Sequence, residues 1–201
     1  MDEFQTTNEG HQKPRISELR GEAFAYIWET IKIIVISLII IIPVRYFIVQ
    51  PFFVKGASMK PVFENNDYIL IDEISYRFRE PKRGEVIVFR APEDTSEFFI
   101  KRIIGLPGET VRIKNNTVTV TNKEDPDGLT LDEPYLSSRQ ETLGDIRVTL
   151  GKDKYYVLGD NRLESSDSRK WGTLDNSLIT GKVLIRIWPF SKFQKFETPT
   201  Y

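Results

Sequence analysis

The feature that most constrains this chain is a run from Tyr26 to Val49 in which isoleucine recurs with few polar breaks. Its uncharged centre, Ile33 to Val44, is about a dozen residues, a length shared by membrane spans and buried core helices. Lys32 and Arg45 bound it, and each can keep its stem in hydrocarbon while the charge reaches an interface. Tyr26, Trp28 and Tyr46 stand where interfacial aromatic belts stand, which stretches the span to about 20 residues. A single β-strand of that length would be far too long. A removable secretion signal would need a basic start and small residues after the apolar run. Here Asp2, Glu3, Glu9, Glu18 and Glu22 make the start acidic, and bulky Tyr46, Phe47 and Ile48 follow. The run therefore predicts one retained transmembrane helix over residues 24–49, with a tail at 1–23 and a body at 50–201. Basic residues lie on both sides of it, Lys13, Arg15 and Arg20 before and Arg45, Lys55 and Lys60 after, so charge leaves the orientation open.

Beyond Gln50 the pattern changes to short runs rich in Ile, Val, Tyr and Phe. Residues 68–71, 85–89, 98–104, 110–113, 117–120, 147–150, 155–158 and 182–187 read as strands, punctuated by Gly84, Gly105, Gly108, Gly151, Gly159 and Gly181. Residues 111–120 form a hairpin pattern, with Asn115 and Asn116 able to take the positive φ of a tight turn. No stretch of the body shows a long helical period. The expectation is a mostly β, antiparallel body. Residues 121–145 are polar and turn-rich, and read as an insert or flap that carries no chemistry.

Composition narrows the function. With 28 Lys+Arg against 29 Asp+Glu there is no excess of basic residues for a nucleic-acid partner. There is no cysteine, so disulfides, thiolate metal sites and cysteine nucleophiles are excluded. The one histidine is His11, in the polar tail, which removes the serine–histidine–aspartate triad. A hydrolytic site would then need a hydroxyl activated by lysine, a carboxylate pair, or a metal held by oxygens.

Three segments carry the candidates: Gly56-Ala-Ser-Met-Lys-Pro61, Phe98-Phe-Ile-Lys-Arg-Ile-Ile-Gly-Leu-Pro-Gly-Glu109, and Gly159-Asp-Asn-Arg-Leu-Glu-Ser-Ser-Asp-Ser-Arg-Lys-Trp-Gly172. Ser58 lies in a turn, where a hydroxyl can face a cleft. Lys101 lies in an otherwise apolar strand, where burial disfavours the ammonium and makes the amine usable as a base. A turn serine and a strand lysine are each commonplace, and their spacing alone does not pair them. Asp160 and Asp167 could ligate a metal, but Arg162 and Arg169 interleave with them, and ion pairing that holds the loop is the better reading.

In this order, an apolar helix, Ser-Met-x-Pro, Lys-Arg-x-x-Gly-x-Pro-Gly-Glu and Gly-Asp-Asn-Arg…Ser-x-Asp-Ser-Arg-x-Trp-Gly, the sequence resembles the bacterial type I signal peptidases from about Phe24 to Trp188. The resemblance implies Ser58 as nucleophile and Lys101 as general base. It implies Ser165 as a second hydroxyl that orients the lysine amine, Asp167 and Arg169 as a bracing pair, and Arg102 as a structural neighbour. The Ser58 backbone N–H matches one oxyanion donor. Some members carry a second, side-chain donor at the position of Gly56, which this chain lacks.

The same resemblance implies a catalytic domain over 50–201 with a small inserted β subdomain, roughly 110–153, and a catalytic face outside the cytoplasmic membrane. The tail would lie inside. No metal or organic cofactor is implied. The implied partners are preproteins bearing signal peptides, cut after small residues at the first and third positions before the cut, with the lipid bilayer and the secretion translocon as further partners. Trp188, Phe190, Phe193 and Phe196 read equally as core or as a lipid-facing cluster. Self-cleaving serine–lysine repressors are an enzymatic rival, but they carry a DNA-binding helical domain in place of this acidic tail and apolar helix. A membrane-anchored β binding module with a decayed dyad is the rival of another class.

Overall fold

The computed structural model describes residues 16–47, 49–199 and 201. The chain separates into two units, Met1–Val44 and Arg45–Tyr201. The first holds most of helix α1 (Ile16–Phe47). Its described side chains from Tyr26 to Ile42 are exposed all round, Ser37 alone being half-buried, and Lys32 pairs with Glu29 one turn before it. Among the described residues no helix is long and apolar enough to cross a membrane. The expected tail up to Arg15, with His11 and Lys13, and the side chains of Arg20, Arg45 and Tyr46 lie outside the described residues. The helix begins before residue 24, at Ile16, and Val49 already belongs to a strand.

The second unit is antiparallel β. Strands β1 (Val49–Phe53), β2 (Tyr68–Asp72), β3 (Val86–Arg90), β4 (Phe98–Gly105), β9 (Lys154–Leu158), β10 (Leu174–Asp175), β11 (Ile179–Trp188) and β12 (Gln194–Lys195) form one sheet. Its order is β1-β2-β11-β3-β4-β9-β10, with β12 beside β11. Strands β5 (Thr110–Lys114), β6 (Thr117–Thr121), β7 (Leu129–Thr130) and β8 (Ile146–Thr149) form a second sheet in the order β7-β6-β5-β8. Helix α2 (Ser168–Trp171) is a single turn. The 110–121 hairpin closes through Asn115 and Asn116, both at positive φ, as their side chains permit.

Alternation in the large sheet fills two cores. Val86, Val88 and Ile100 pack with Val54, Met59, Phe63, Ile69 and Ile71, while Ile87, Phe89 and Ile103 pack with Tyr155, Val157 and Leu174. Because both faces are covered, β4 is buried from Ile100 to Gly105. The glycines and acid of the segment after β4 have structural reasons. A Cβ on Gly105 would stand 2.4 Å from Val111, and Glu109 closes the turn by accepting from the Leu106 N–H and from both terminal nitrogens of Arg83.

Candidate active site

Ser58 lies in the loop that follows edge strand β1. Met59 and Phe63, which follow it in the chain, are 1% and 0% exposed and pack into the sheet's first core, so the loop is seated by apolar plugs while Ser58 stays half-buried at the surface of a groove. Plugs of this size stabilise by about 2 kcal/mol each. Gly56, at φ +90°, makes the turn and donates its N–H to Asn65 Oδ1. Behind the loop, Arg186 donates to the Val62 carbonyl and to Asp67, each at 2.8 Å.

Lys101 is held differently. It pairs with Ile87 in the β3–β4 ladder and is 4% exposed. Its Nζ donates to Ser58 Oγ at 2.9 Å and to its neighbour's carbonyl, Ile100 O, at 2.9 Å, and it lies 5.4 Å from the centre of the Phe99 ring. Burial lowers its pKa to about 8, against the pull of the Asp167 and Asp160 carboxylates, which favour the ammonium. Both carboxylates arrive from the loop after β9 and not from the lysine's own strand.

That loop is a network of ion pairs, arranged otherwise than the interleaved charges suggest. Asp167 does pair with Arg169, at 2.8 Å, and also accepts from the Gly159 N–H and caps α2 through the Arg169 N–H. Burial pushes the Asp167 carboxyl up, but Arg169 and these N–H donors outweigh it and leave it below the ordinary carboxylate range. Asp160, however, pairs with Arg102 through two bonds of 2.8 and 2.7 Å. Arg102 also donates to Gly84 O and stacks on Tyr135 with its guanidinium 3.8 Å from the ring centre. Arg162 turns away from Asp160 to Glu133 and Thr142, in the segment expected to carry no chemistry.

Ser165 departs from the expectation. Its buried hydroxyl does not bond to Lys101, which bonds to Ser58 and Ile100 instead. The hydroxyl lies close enough to Asp167 to help lower that carboxyl. Gly159 explains the crowding: a Cβ there would stand 2.2 Å from Ser165 Oγ and 2.4 Å from the Ser58 carbonyl. Sequence reasoning met Gly159 only as punctuation and as the first residue of a motif, and gave it no role. It also passed over Asn161, whose backbone N–H donates to Ser58 O at 3.0 Å and whose side chain donates to Ala57 O at 3.1 Å.

The groove in front of Ser58 and Lys101 has a volume of about 810 Å³ and is bordered by Phe52, Phe53, Val54, Phe99, Ile100 and Glu164. Its two long sides are free strand edges. Among the described residues strand β1 pairs only with β2, and β9 joins β4 only from Arg102 onward, which leaves residues 98–101 one side without a strand partner. An extended peptide can bond to both.

The sequence matches the family model for signal peptidase, peptidase S26, over residues 27–188. It is 35% identical over 184 residues to a probable signal peptidase I-1 of Synechocystis sp., covering 88% of this chain and 90% of that one. It is 36% identical over 183 residues to a signal peptidase IB of Staphylococcus aureus, covering 83% of this chain and 92% of that one. A solved signal peptidase I from Enterococcus faecalis is 30% identical, with a TM-score of 0.44 over 52% of this chain and 97% of that one. A hydroxyl paired with a buried amine at the end of an open groove is thus found in a sequence matched along most of its length, and the chain belongs to the signal peptidases of the peptidase S26 family.

Proposed function

We propose that this chain, a signal peptidase and serine hydrolase by family, removes signal peptides from exported preproteins with Ser58 as nucleophile and Lys101 as general base. The observation that carries this is the 2.9 Å contact between the Ser58 hydroxyl and an amine that is 4% exposed. Neutral Lys101 takes the Ser58 proton as Oγ attacks the scissile carbonyl, and the ammonium so formed gives that proton to the leaving amine. Water then cleaves the acyl-enzyme by the same proton route. The Ser58 N–H holds the oxyanion, a kind of contact worth about 3 kcal/mol. Arg102, Asp160, Asp167 and Arg169 fix the loop behind the base, and Ser165 fills the space beside it. The preprotein lies extended between β1 and β4, with Val54 and Ile100 limiting the side chains at the first and third positions before the cut to small ones. Residues 50–201 act as the catalytic domain, with roughly 110–153 inserted.

Cleavage of a preprotein by the wild type and by Ser58→Ala tests the assignment. The variant is expected to fold normally and to show no turnover; ordinary turnover would remove Ser58 as nucleophile.

The apolar run, residues 24–49, is read as the single membrane span, with the tail inside and the catalytic face outside. What supports it is a helix exposed all round with isoleucines, since a helix apolar on every side needs an apolar surrounding. Phe53, Tyr68 and Trp188 stand in one row across β1, β2 and β11, and Phe53, Trp188, Phe190 and Phe193 are exposed, which suits a domain seated on lipid beside the translocon. Phe196, in contrast, packs on Phe63. The full chain is expected in the membrane fraction after an alkaline wash; recovery in the soluble fraction without detergent would contradict the anchor.

A further inference from the structure

The segment between β7 and β8 was expected to stand apart from the chemistry, yet it reaches the carbonyl side of the nucleophile turn. The Gln140 side chain is half-buried and bridges two points of the loop after β9. Its Nε2 donates to Asn161 Oδ1 at 3.2 Å, and its Oε1 accepts from the Leu163 N–H at 3.4 Å. These two bonds set which way the Asn161 amide faces. With Oδ1 occupied by Gln140, Asn161 must present its Nδ2 hydrogens elsewhere, and they go to Ala57 O and Glu164 Oε2, each at 3.1 Å. The Asn161 N–H meanwhile holds Ser58 O. Two successive carbonyls of the nucleophile turn are therefore fixed by one asparagine, whose orientation is chosen by a glutamine from another part of the chain. The same segment is tied down a second time, where Glu133 and Thr142 bind the fully buried Arg162, the residue next to Asn161.

We propose that Gln140 is a positioning residue for catalysis: through Asn161 it holds the Ala57–Ser58 backbone so that Ser58 Oγ stays within reach of Lys101. This rests on the reading of Ser58 as nucleophile. Gln140 does not border the substrate groove and touches neither Ser58 nor Lys101, so its loss leaves peptide binding intact and loosens the attacking atom. The effect falls on kcat, and KM stays near its wild-type value.

The test is steady-state cleavage of a preprotein by Gln140→Ala and Gln140→Glu, with melting temperatures measured on the same samples and Ser58→Ala run alongside. Gln140→Ala removes the clip, and kcat is expected to fall about fivefold, the size of one hydrogen bond, with KM within about twofold. Gln140→Glu keeps the Leu163 acceptor but sets a carboxylate oxygen against Asn161 Oδ1, and is expected to be at least as impaired as Gln140→Ala. Wild-type kcat in both variants overturns the proposal, as does a rise in KM at unchanged kcat. A loss of rate that only tracks a lowered melting temperature, and vanishes on cooling, also overturns it. Should Ser58→Ala retain turnover, the nucleophile assignment itself falls, whatever Gln140 does. An inactive Ser58→Ala beside a fully active Gln140→Ala refutes the clip alone.

Discussion

The two halves of the Ser58–Lys101 pair are held by opposite means. Lys101 stands in strand β4, its backbone fixed by the ladder to β3 and its amine by Ser58 Oγ and the Ile100 carbonyl. Ser58 stands in a loop with no ladder, seated by Met59 and Phe63 below and clipped by Asn161 behind. The sheet makes Lys101 a fixed point whose pKa is lowered by burial. The loop makes Ser58 the adjustable member, dependent on many small contacts. Changes at the base should alter chemistry abruptly and change its pH dependence; changes around the nucleophile should lower the rate by degrees.

The largest effect expected is at the base. Lys101→Arg should lose measurable turnover between pH 6 and 9, because a guanidinium keeps its proton there. Near-normal cleavage by this variant at neutral pH would show that another group is the base. In the wild type the amine is neutral above about 8, so cleavage should rise as pH increases through that value, with roughly a tenth of the enzyme active at pH 7. The Asp167 carboxylate favours the ammonium, so in Asp167→Asn the acidic limb of the pH–rate profile should move to lower pH. A limb that stays in place or moves up would mean that Asp167 does not act on Lys101 through its charge.

On the nucleophile side, Gly159→Ala is expected to be next in size. Its methyl group would meet the Ser58 carbonyl at 2.4 Å, and a backbone atom cannot rotate away as a side chain can. Displacement of the turn should cost upwards of tenfold in kcat and about 1–3 kcal/mol in stability. A fully active Gly159→Ala would show that the turn tolerates movement and would weaken the contrast drawn above. The smallest effect concerns Gly56. A serine there has room, since nothing lies within 4 Å of its Cβ, but φ is +90°. Gly56→Ser should therefore destabilise by about 1–2 kcal/mol without raising kcat, read from thermal unfolding and cleavage together. A rise in kcat would show that an added hydroxyl serves the oxyanion in this turn.

Period-two apolar runs located most strands to within a residue or two, because burial on alternate faces leaves its mark on sequence, but β11 begins three residues before the expected 182. Strand β1 escaped notice because Val-Gln-Pro-Phe-Phe adjoins the isoleucine run and contains a proline, which an edge strand tolerates. Strands β7, β10 and β12 are two residues each, too short to show any period. The closeness of Ser58 and Lys101 was legible only through the resemblance, since 43 residues separate them and neither type is unusual in its place. The alternating acids and arginines after Gly159 suggested ion pairs but not which residues pair. Asp160 and Arg162 lie two residues apart, and their actual partners, Arg102 and Glu133, come from elsewhere in the chain. That the Ser165 hydroxyl sits by Asp167 and not on Lys101 could not be read at all, because it depends on how closely Gly159 lets the chain approach.

The clip behind Ser58 has a consequence for the order in which the protein becomes an enzyme. The contact of Asn161 with Ala57 spans 104 residues of sequence, and that of Arg186 with Asp67 spans 119. Closing such long loops is slow compared with forming the neighbouring hairpins, and it cannot begin until the later residue has been synthesised. A growing chain thus carries its serine and its lysine well before it carries the parts that aim one at the other. Full assembly of the turn around Ser58 therefore waits on residues made late in the chain, Asn161 and Arg186.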